Sequence, residues 1–191
     1  SDSVSVINTR TNTVVRTIAI APFRERNLGL SPTALALSPD GRTLFVALGG
    51  VNAIAVYDVP AASADARLTG LIPTAWYPAS LDVSADGKYL AVGALFGVGA
   101  GTGAVGTPRM TGRYVFAERG SVNVVEIPTQ SELVAFTTAV AQNNRLTLFG
   151  EPSRNPTVVR ANARPQAVPE RPGEPSLIRH VVFIVKENRT Y

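Results

Sequence analysis

The stretch PTALALSPDGRTLFV at residues 32–46 decides the fold, because it recurs at residues 78–92 as PASLDVSADGKYLAV. The two copies share a proline, a leucine followed two positions later by an aliphatic residue, a serine, an Asp-Gly pair, a basic residue, a leucine and a valine. They begin 46 residues apart. Repeats of about 20–50 residues are typical of solenoids and propellers, so the repeat is the first constraint on the architecture.

Each copy predicts a β-hairpin. Leu35 and Leu37 alternate with smaller residues, as Leu81 and Val83 do in the second copy, which is the period of a strand with one buried face. The Asp-Gly pair that follows suits a tight turn, since glycine tolerates a positive φ. We therefore expect these four aliphatic side chains to face a core.

A further strand is predicted after each hairpin, because residues 52–58 match residues 121–126 and, near the start of the chain, residues 3–8. About four short antiparallel strands per 46 residues is the size of a β-propeller blade. The repeat resembles the YVTN-type seven-bladed propeller repeat, whose strand pair is matched by residues 3–15 and whose hairpin is matched by residues 38–42.

The predicted fold class is mainly β, with about two and a half four-stranded blades over residues 1–128, whereas closed propellers need about four to eight. We therefore expect a fragment that lacks blades present in a longer protein, or else copies of the chain that complete each other. A generic meander or sandwich is the alternative architecture.

Three segments interrupt the strand pattern. Within the Gly-rich stretch 93–120, residues 99–104 formally fit a dinucleotide-binding fingerprint, but no helical pattern follows them, so the stretch is interpreted as an enlarged loop. Residues 129–144 are predicted to form a helix that begins with a capping box of Thr129 and Glu132. Residues 145–177 are Pro-rich and are predicted to be an extended linker.

Composition excludes several classes of site. The 191 residues contain no cysteine and one histidine, so a disulfide scaffold, a thiolate site and a multi-histidine zinc site are excluded for this chain alone. Its basic excess of four charges lies in residues 142–191, among prolines, and no aromatic residues interleave with the arginines to stack bases, so no nucleic-acid partner is expected. No apolar run is long enough to span a membrane.

Residues 178–191 change the pattern again. Val181 to Val185 form an uninterrupted apolar run, which suits a strand buried on both faces of a parallel sheet. Glu187 and Asn188 follow at its carboxyl end, where ligands of open α/β sheets bind, and their side-chain oxygens suit divalent cations.

The segment Glu187-Asn188-Arg189-Thr190-Tyr191 after this run resembles the opening of the bacterial phosphoesterase family that includes phospholipase C and acid phosphatases, within the alkaline-phosphatase-like fold. The order of propeller, helix, Pro-rich linker and strand resembles the bacterial bifunctional propeller–alkaline phosphatase proteins. The resemblance implies that Glu187 and Asn188 are metal ligands and that residues 178–191 begin a phosphoesterase domain.

The function expected is thus that of the propeller part of a metal-dependent phosphate ester hydrolase. The divalent metal is not specified by the sequence. No catalytic or cofactor-binding residue is assigned, because the nucleophile would lie beyond Tyr191, and no bound metal is expected in this segment alone. Expected partners are a phosphate-ester substrate, the missing blades and the catalytic domain.

Two other functions remain open at this point: a non-catalytic binding or scaffold propeller, and a lactonase-type propeller enzyme with metal ligands in its channel. The YVTN resemblance suggests a periplasmic or secreted bacterial protein, whose signal peptide is not in this segment. His180 is interpreted as structural or solvent-facing. Arg109, Arg113 and Arg119 are interpreted as solvated loop residues rather than a phosphate entry.

Overall fold

The structure is a computed structural model that describes residues 2–25, 28–59, 65–97, 120–150, 162–169 and 174–184. It divides into two compact units, Ser1–Gly150 and Glu151–Tyr191. The strands are β1 (Ser3–Asn8), β2 (Thr13–Ala19), β3 (Pro32–Leu37), β4 (Thr43–Leu48), β5 (Ala53–Asp58), β6 (Arg67–Pro73), β7 (Pro78–Val83), β8 (Tyr89–Ala94) and β9 (Ser121–Glu126), and the helix α1 spans Gln130–Asn144.

The strands form three antiparallel sheets in which sequence neighbours pair: β1-β2, β3-β4-β5-β6 and β7-β8-β9. The four-stranded sheet is a complete blade, and the sheets on either side of it have two and three strands. Successive meandering sheets of this kind are the arrangement of a β-propeller. The predicted fold class, a partial β-propeller with one helix, is confirmed.

The repeated hairpins form because one serine and one aspartate organise each turn. Ser38 Oγ donates to Asp40 Oδ1 at 2.6 Å, and the backbone N–H of Arg42 donates to the same oxygen at 3.1 Å. Ser38 Oγ also accepts from the N–H of Thr43 at 2.9 Å. Gly41, with φ of 72°, allows the reversal.

The second copy repeats these bonds. Ser84 Oγ donates to Asp86 Oδ1 at 2.6 Å, and the N–H of Lys88 donates to that oxygen at 3.1 Å. Gly87 has φ of 71°. The two turns are thus the same structure built twice, as the sequence repeat predicted.

Two apolar layers cover the two faces of the four-stranded sheet. One packs it against β1-β2 and includes Val4, Ile18, Val46 and Leu71. The other packs it against β7-β8-β9. Sheet packed face to face on sheet is the packing expected of neighbouring blades.

Leu35 and Leu37 do not fill the core as predicted: they are 50% and 52% exposed. Their register is correct, because Leu35 pairs with Val46, which is fully buried on the face that meets β1-β2. The described part of the neighbouring sheet has only two strands, and an open space of about 430 Å³ separates β1 from β3. Leu81 and Val83 in the second copy are half-buried, because β3–β6 form a full sheet beside them.

Helix α1 covers the outer edge of the complete blade. It begins with the predicted capping box, in which the N–H of Thr129 donates to Glu132 Oε2 at 2.8 Å. Its Leu133 and Val140 are buried, one in each apolar layer. The helix lies so close to β6 that a Cβ added at Gly70 would be 2.5 Å from Leu133 Cγ.

Thr137 joins α1 to the edge strand. Its Oγ1 accepts from the N–H of Leu71 at 2.8 Å and donates to the carbonyl of Leu133 at 2.6 Å. An uncovered strand edge exposes unpaired backbone groups and promotes aggregation. The helix therefore takes the place that a neighbouring strand would otherwise fill at β6.

The second unit contributes an isolated parallel bridge between Gln166 and Ser176. Val181 to Ile184, the described part of the predicted buried strand, lie in no strand and are 80–87% exposed. The expected burial is therefore not observed here. A strand needs a hydrogen-bonded neighbour, and the described residues of this unit provide none for the run.

Candidate functional site

A cleft of about 530 Å³ lies at the end of the blades that carries the two Ser-Asp turns. Its walls are the turn before β4, the turn before β8 and the first residues of α1. Three carboxylates line it, those of Asp40, Asp58 and Asp86, together with the apolar side chains of Phe45 and Leu133. The repeat explains the first and third carboxylate, because each belongs to an Asp-Gly turn.

The carboxylates of Asp40 and Asp86 already accept hydrogen bonds within their own turns. The hydroxyl of Ser38 and then the N–H of Arg42 hold the pKa of Asp40 below its ordinary value. The hydroxyl of Ser84 and then the N–H of Lys88 do the same to the pKa of Asp86. Both groups are therefore ionised at neutral pH and are poor general acids or bases, which agrees with their interpretation as turn residues.

Tyr57 is a titratable side chain whose pKa is strongly changed by its surroundings. It is buried in the apolar layer between β1-β2 and the complete blade, and this burial raises its pKa to about 12. Its hydroxyl therefore stays protonated and does not serve as a base at neutral pH. Within the described ranges, no three histidine, cysteine, aspartate or glutamate side chains come together to hold a metal ion.

The residues predicted to bind metal, Glu187 and Asn188, lie outside the described residues. So do Arg109, Arg113 and Arg119, because only the ends of the Gly-rich stretch 93–120 are described. His180 is described and is exposed, in agreement with a solvent-facing histidine. In the part of the chain that the structure covers, no helix is long and apolar enough to cross a membrane.

A second groove, of about 330 Å³, lies at the opposite end of the blades and was missed by the sequence reasoning. We call it the Trp76 groove; it is lined by Val51, Asn52, Thr74, Trp76, Val140, Asn143 and Asn144. The repeat contained a signal for this groove. Two positions before the shared proline, the first copy has the aliphatic Leu30, whereas the second copy has Trp76. Only the structure shows that helix α1 completes the groove.

Comparison with known proteins supports the propeller. Residues 1–94 match the family described as "Lactonase, 7-bladed beta-propeller", a match that stops just short of half of the chain. A search of curated proteins finds no match.

Two solved structures are similar over about half of this chain. Kuenenia stuttgartiensis hydrazine synthase is 24% identical, with a TM-score of 0.41, over 49% of this chain and 23% of its own. A functionally unknown protein from Desulfotomaculum acetoxidans is 21% identical, with a TM-score of 0.37, over 48% of this chain and 27% of its own. The chain thus spans about a quarter of the length of either structure. Together, the family match and the three sheets identify residues 1–94 as propeller.

Proposed function

We propose that this β-propeller segment belongs to a metal-dependent phosphoesterase and that residues 178–191 begin its catalytic domain. The observation that carries the proposal is the sequence at 181–191, an apolar run followed by Glu-Asn-Arg-Thr-Tyr. One structural fact supports it: residues 151–191 form a compact unit of their own, apart from residues 1–150.

In this proposal Glu187 and Asn188 hold a divalent cation through their side-chain oxygens. Such a cation, when bound, stabilises the charge that develops on a phosphoryl group. The propeller supplies a rigid body beside the catalytic domain that limits access or recruits the substrate. Export to the periplasm or beyond is part of the proposal, since the propeller resemblance and the lack of cysteine are both compatible with it.

A lactonase-type propeller enzyme is the second candidate, and the family match over residues 1–94 is the observation that favours it. The two candidates differ in where the chemistry occurs. A lactonase would use the propeller itself, whereas a phosphoesterase would use groups that follow residue 178.

The test uses the complete protein encoded by the reading frame that contains this chain. Hydrolysis of p-nitrophenyl phosphate and of its bis-ester is measured before and after chelation, and then after each divalent metal is restored. The variants Glu187→Gln and Asn188→Ala should lose more than about 100-fold in rate, because each removes a metal ligand. Glu126→Gln, the same change at an exposed strand end in the propeller, is the control and should keep full activity.

Phosphate-ester hydrolysis that survives chelation, or that Glu187→Gln leaves intact, would contradict the proposal. A parallel assay with a δ-lactone distinguishes the second candidate. Lactone hydrolysis that is unchanged by both variants, in a protein without phosphatase activity, would place the chemistry in the propeller.

A further inference from the structure

The Trp76 groove has a chemistry that neither the phosphoesterase nor the lactonase proposal uses. It lies within the first unit, between the β4–β5 turn, the segment before β7 and the last turn of α1. Its polar groups are the amides of Asn52, Asn143 and Asn144 and the hydroxyl of Thr74. Among the described residues that line it, none carries a charged side chain.

Comparison of the two repeat copies shows what is unusual about Trp76. Both copies make the same backbone hydrogen bond at this position. The N–H of Gly50 donates to the carbonyl of Leu30 at 2.9 Å, and the N–H of Phe96 donates to the carbonyl of Trp76 at 3.2 Å. The side chains differ, because Leu30 is 3% exposed whereas Trp76 is 53% exposed. One copy therefore uses this position for the core, and the other presents an indole to solvent beside a groove.

The backbone that carries the indole is fixed on both sides. The N–H of Trp76 donates to the carbonyl of Gly97 at 2.7 Å. Tyr77, which precedes a proline, has φ of 56°, and its N–H donates to Asn52 Oδ1 at 2.9 Å. Ser31 has the same backbone conformation in the first copy, so this turn belongs to the repeat. Because these bonds hold the segment that carries Trp76 rigid, little conformational entropy is lost when a ligand binds to the indole.

Two of the three amides, those of Asn52 and Asn144, are also held in place by hydrogen bonds. Asn144 Nδ2 donates to the carbonyl of Val51 at 3.0 Å and to that of Val140 at 2.9 Å, which leaves its Oδ1 as an acceptor. Asn52 Oδ1 accepts from Tyr77, which leaves its Nδ2 as a donor. Among the described residues, neither of these remaining atoms has a hydrogen-bond partner. A fixed uncharged donor and a fixed uncharged acceptor thus lie in the same groove as an exposed indole.

We propose that the Trp76 groove binds a neutral saccharide. A sugar ring has an apolar C–H face that packs on the electron-rich face of an indole, and hydroxyl groups at its rim that pair with fixed amides. Among the described lining residues, an anion would find no cationic side chain, and a cation would find no carboxylate. The volume of about 330 Å³ lies at the small end of the range for ligand sites, which suits a short saccharide and not a large cofactor. This inference does not rest on the phosphoesterase proposal.

The test exploits the fact that Trp76 is the only tryptophan in the chain. The 191-residue chain is titrated with neutral malto-, cello-, manno- and chito-oligosaccharides while the indole emission is recorded. Stacking of a sugar on the ring should give a saturable change in emission with at least one of these series. Trp76→Leu, which installs the residue of the other copy, should weaken binding more than about 10-fold by calorimetry, since it removes the stacking surface.

Two further variants separate binding from folding. Asn143→Ala changes an exposed amide in the groove and should weaken binding by about 2- to 10-fold, the effect of one lost hydrogen bond. Tyr89→Ala removes an exposed aromatic ring from another surface and should leave binding unchanged. Circular dichroism confirms that each variant is folded.

The proposal is wrong if none of the four neutral series changes the emission of the intact chain. It is also wrong if Trp76→Leu, folded, binds as tightly as the parent. Binding of charged saccharides alone, lost on addition of salt, would likewise exclude a neutral-sugar site.

Discussion

Thr137→Val tests whether helix α1 stabilises the edge of the complete blade through a single hydroxyl. The N–H of Leu71 points away from β5, is covered by the helix and donates to Thr137 Oγ1 at 2.8 Å. Valine has nearly the same shape and helix propensity as threonine, so the substitution removes the hydroxyl and little else. A buried N–H left without its acceptor costs about 1–3 kcal/mol of the free energy of unfolding. For a unit of this size each kcal/mol lowers the melting temperature by about 2–4 °C.

Thr138→Val is the matched control. Thr138 lies one position further along the same helix, and its Oγ1 donates to the carbonyl of Val134 at 3.1 Å on the exposed side. Its loss should change the free energy of unfolding by less than about 0.5 kcal/mol. Urea titrations followed by circular dichroism measure both variants, and hydrogen exchange should be faster at the Leu71 amide in Thr137→Val alone. Equal urea midpoints for the two variants would refute the reasoning.

The remaining predictions concern acid stability and self-association. Since Ser84 and Lys88 hold the pKa of Asp86 below its ordinary 3.8, the stability that this carboxylate contributes is complete above that pH and is lost as the pH falls through its lower folded value. Asp86→Asn should therefore flatten the dependence of the urea midpoint on pH below about 4, and an acid profile identical to that of the parent would count against the turn network. Val124 is exposed on the outer face of the β7-β8-β9 sheet, so Val124→Lys should reduce self-association in sedimentation experiments without changing the melting temperature. Val134→Lys, at an exposed position on α1, is its control, and an equal effect of both would show that the open sheet face is not the contact.

The features that the sequence predicts well depend on neighbours in the chain. The bonds from Ser38 to Asp40 and from Ser84 to Asp86 span two residues, and so the repeated motif contains all that the turn needs. The capping box of α1 likewise spans only Thr129 to Glu132. Alternation of apolar residues in such a hairpin gives the register of the strands, which is why Leu35 pairs with Val46 as a two-residue period requires.

The features that the sequence did not predict depend on distant parts of the chain. The exposure of Leu35 follows from how many strands the neighbouring sheet has, which no local pattern records. The bond between Leu71 and Thr137 joins residues 66 positions apart. The Trp76 groove needs α1, which follows β9 in the chain but packs against β6 of the middle blade. The apolar run at 181–184 predicted a buried strand, whereas the described residues of this run are exposed and lie in no strand.

The two ends of the blades consequently differ in what a change of side chain can do. At the turn end, the serine and aspartate of each copy hold the backbone of the turn together. A substitution there therefore changes both the stability of the turn and the side chains that line the cleft. At the other end, Leu30 and Trp76 occupy the same position in two successive sheets, and their backbone carbonyls accept equivalent bonds whichever side chain is present. The side chain at this position can therefore change without cost to the hairpin, which is the condition for placing a specific site on a rigid scaffold. It follows that Trp76→Leu should remove saccharide binding and leave the melting temperature unchanged, whereas Ser84→Ala should lower the melting temperature and leave the affinity of the folded chain unchanged.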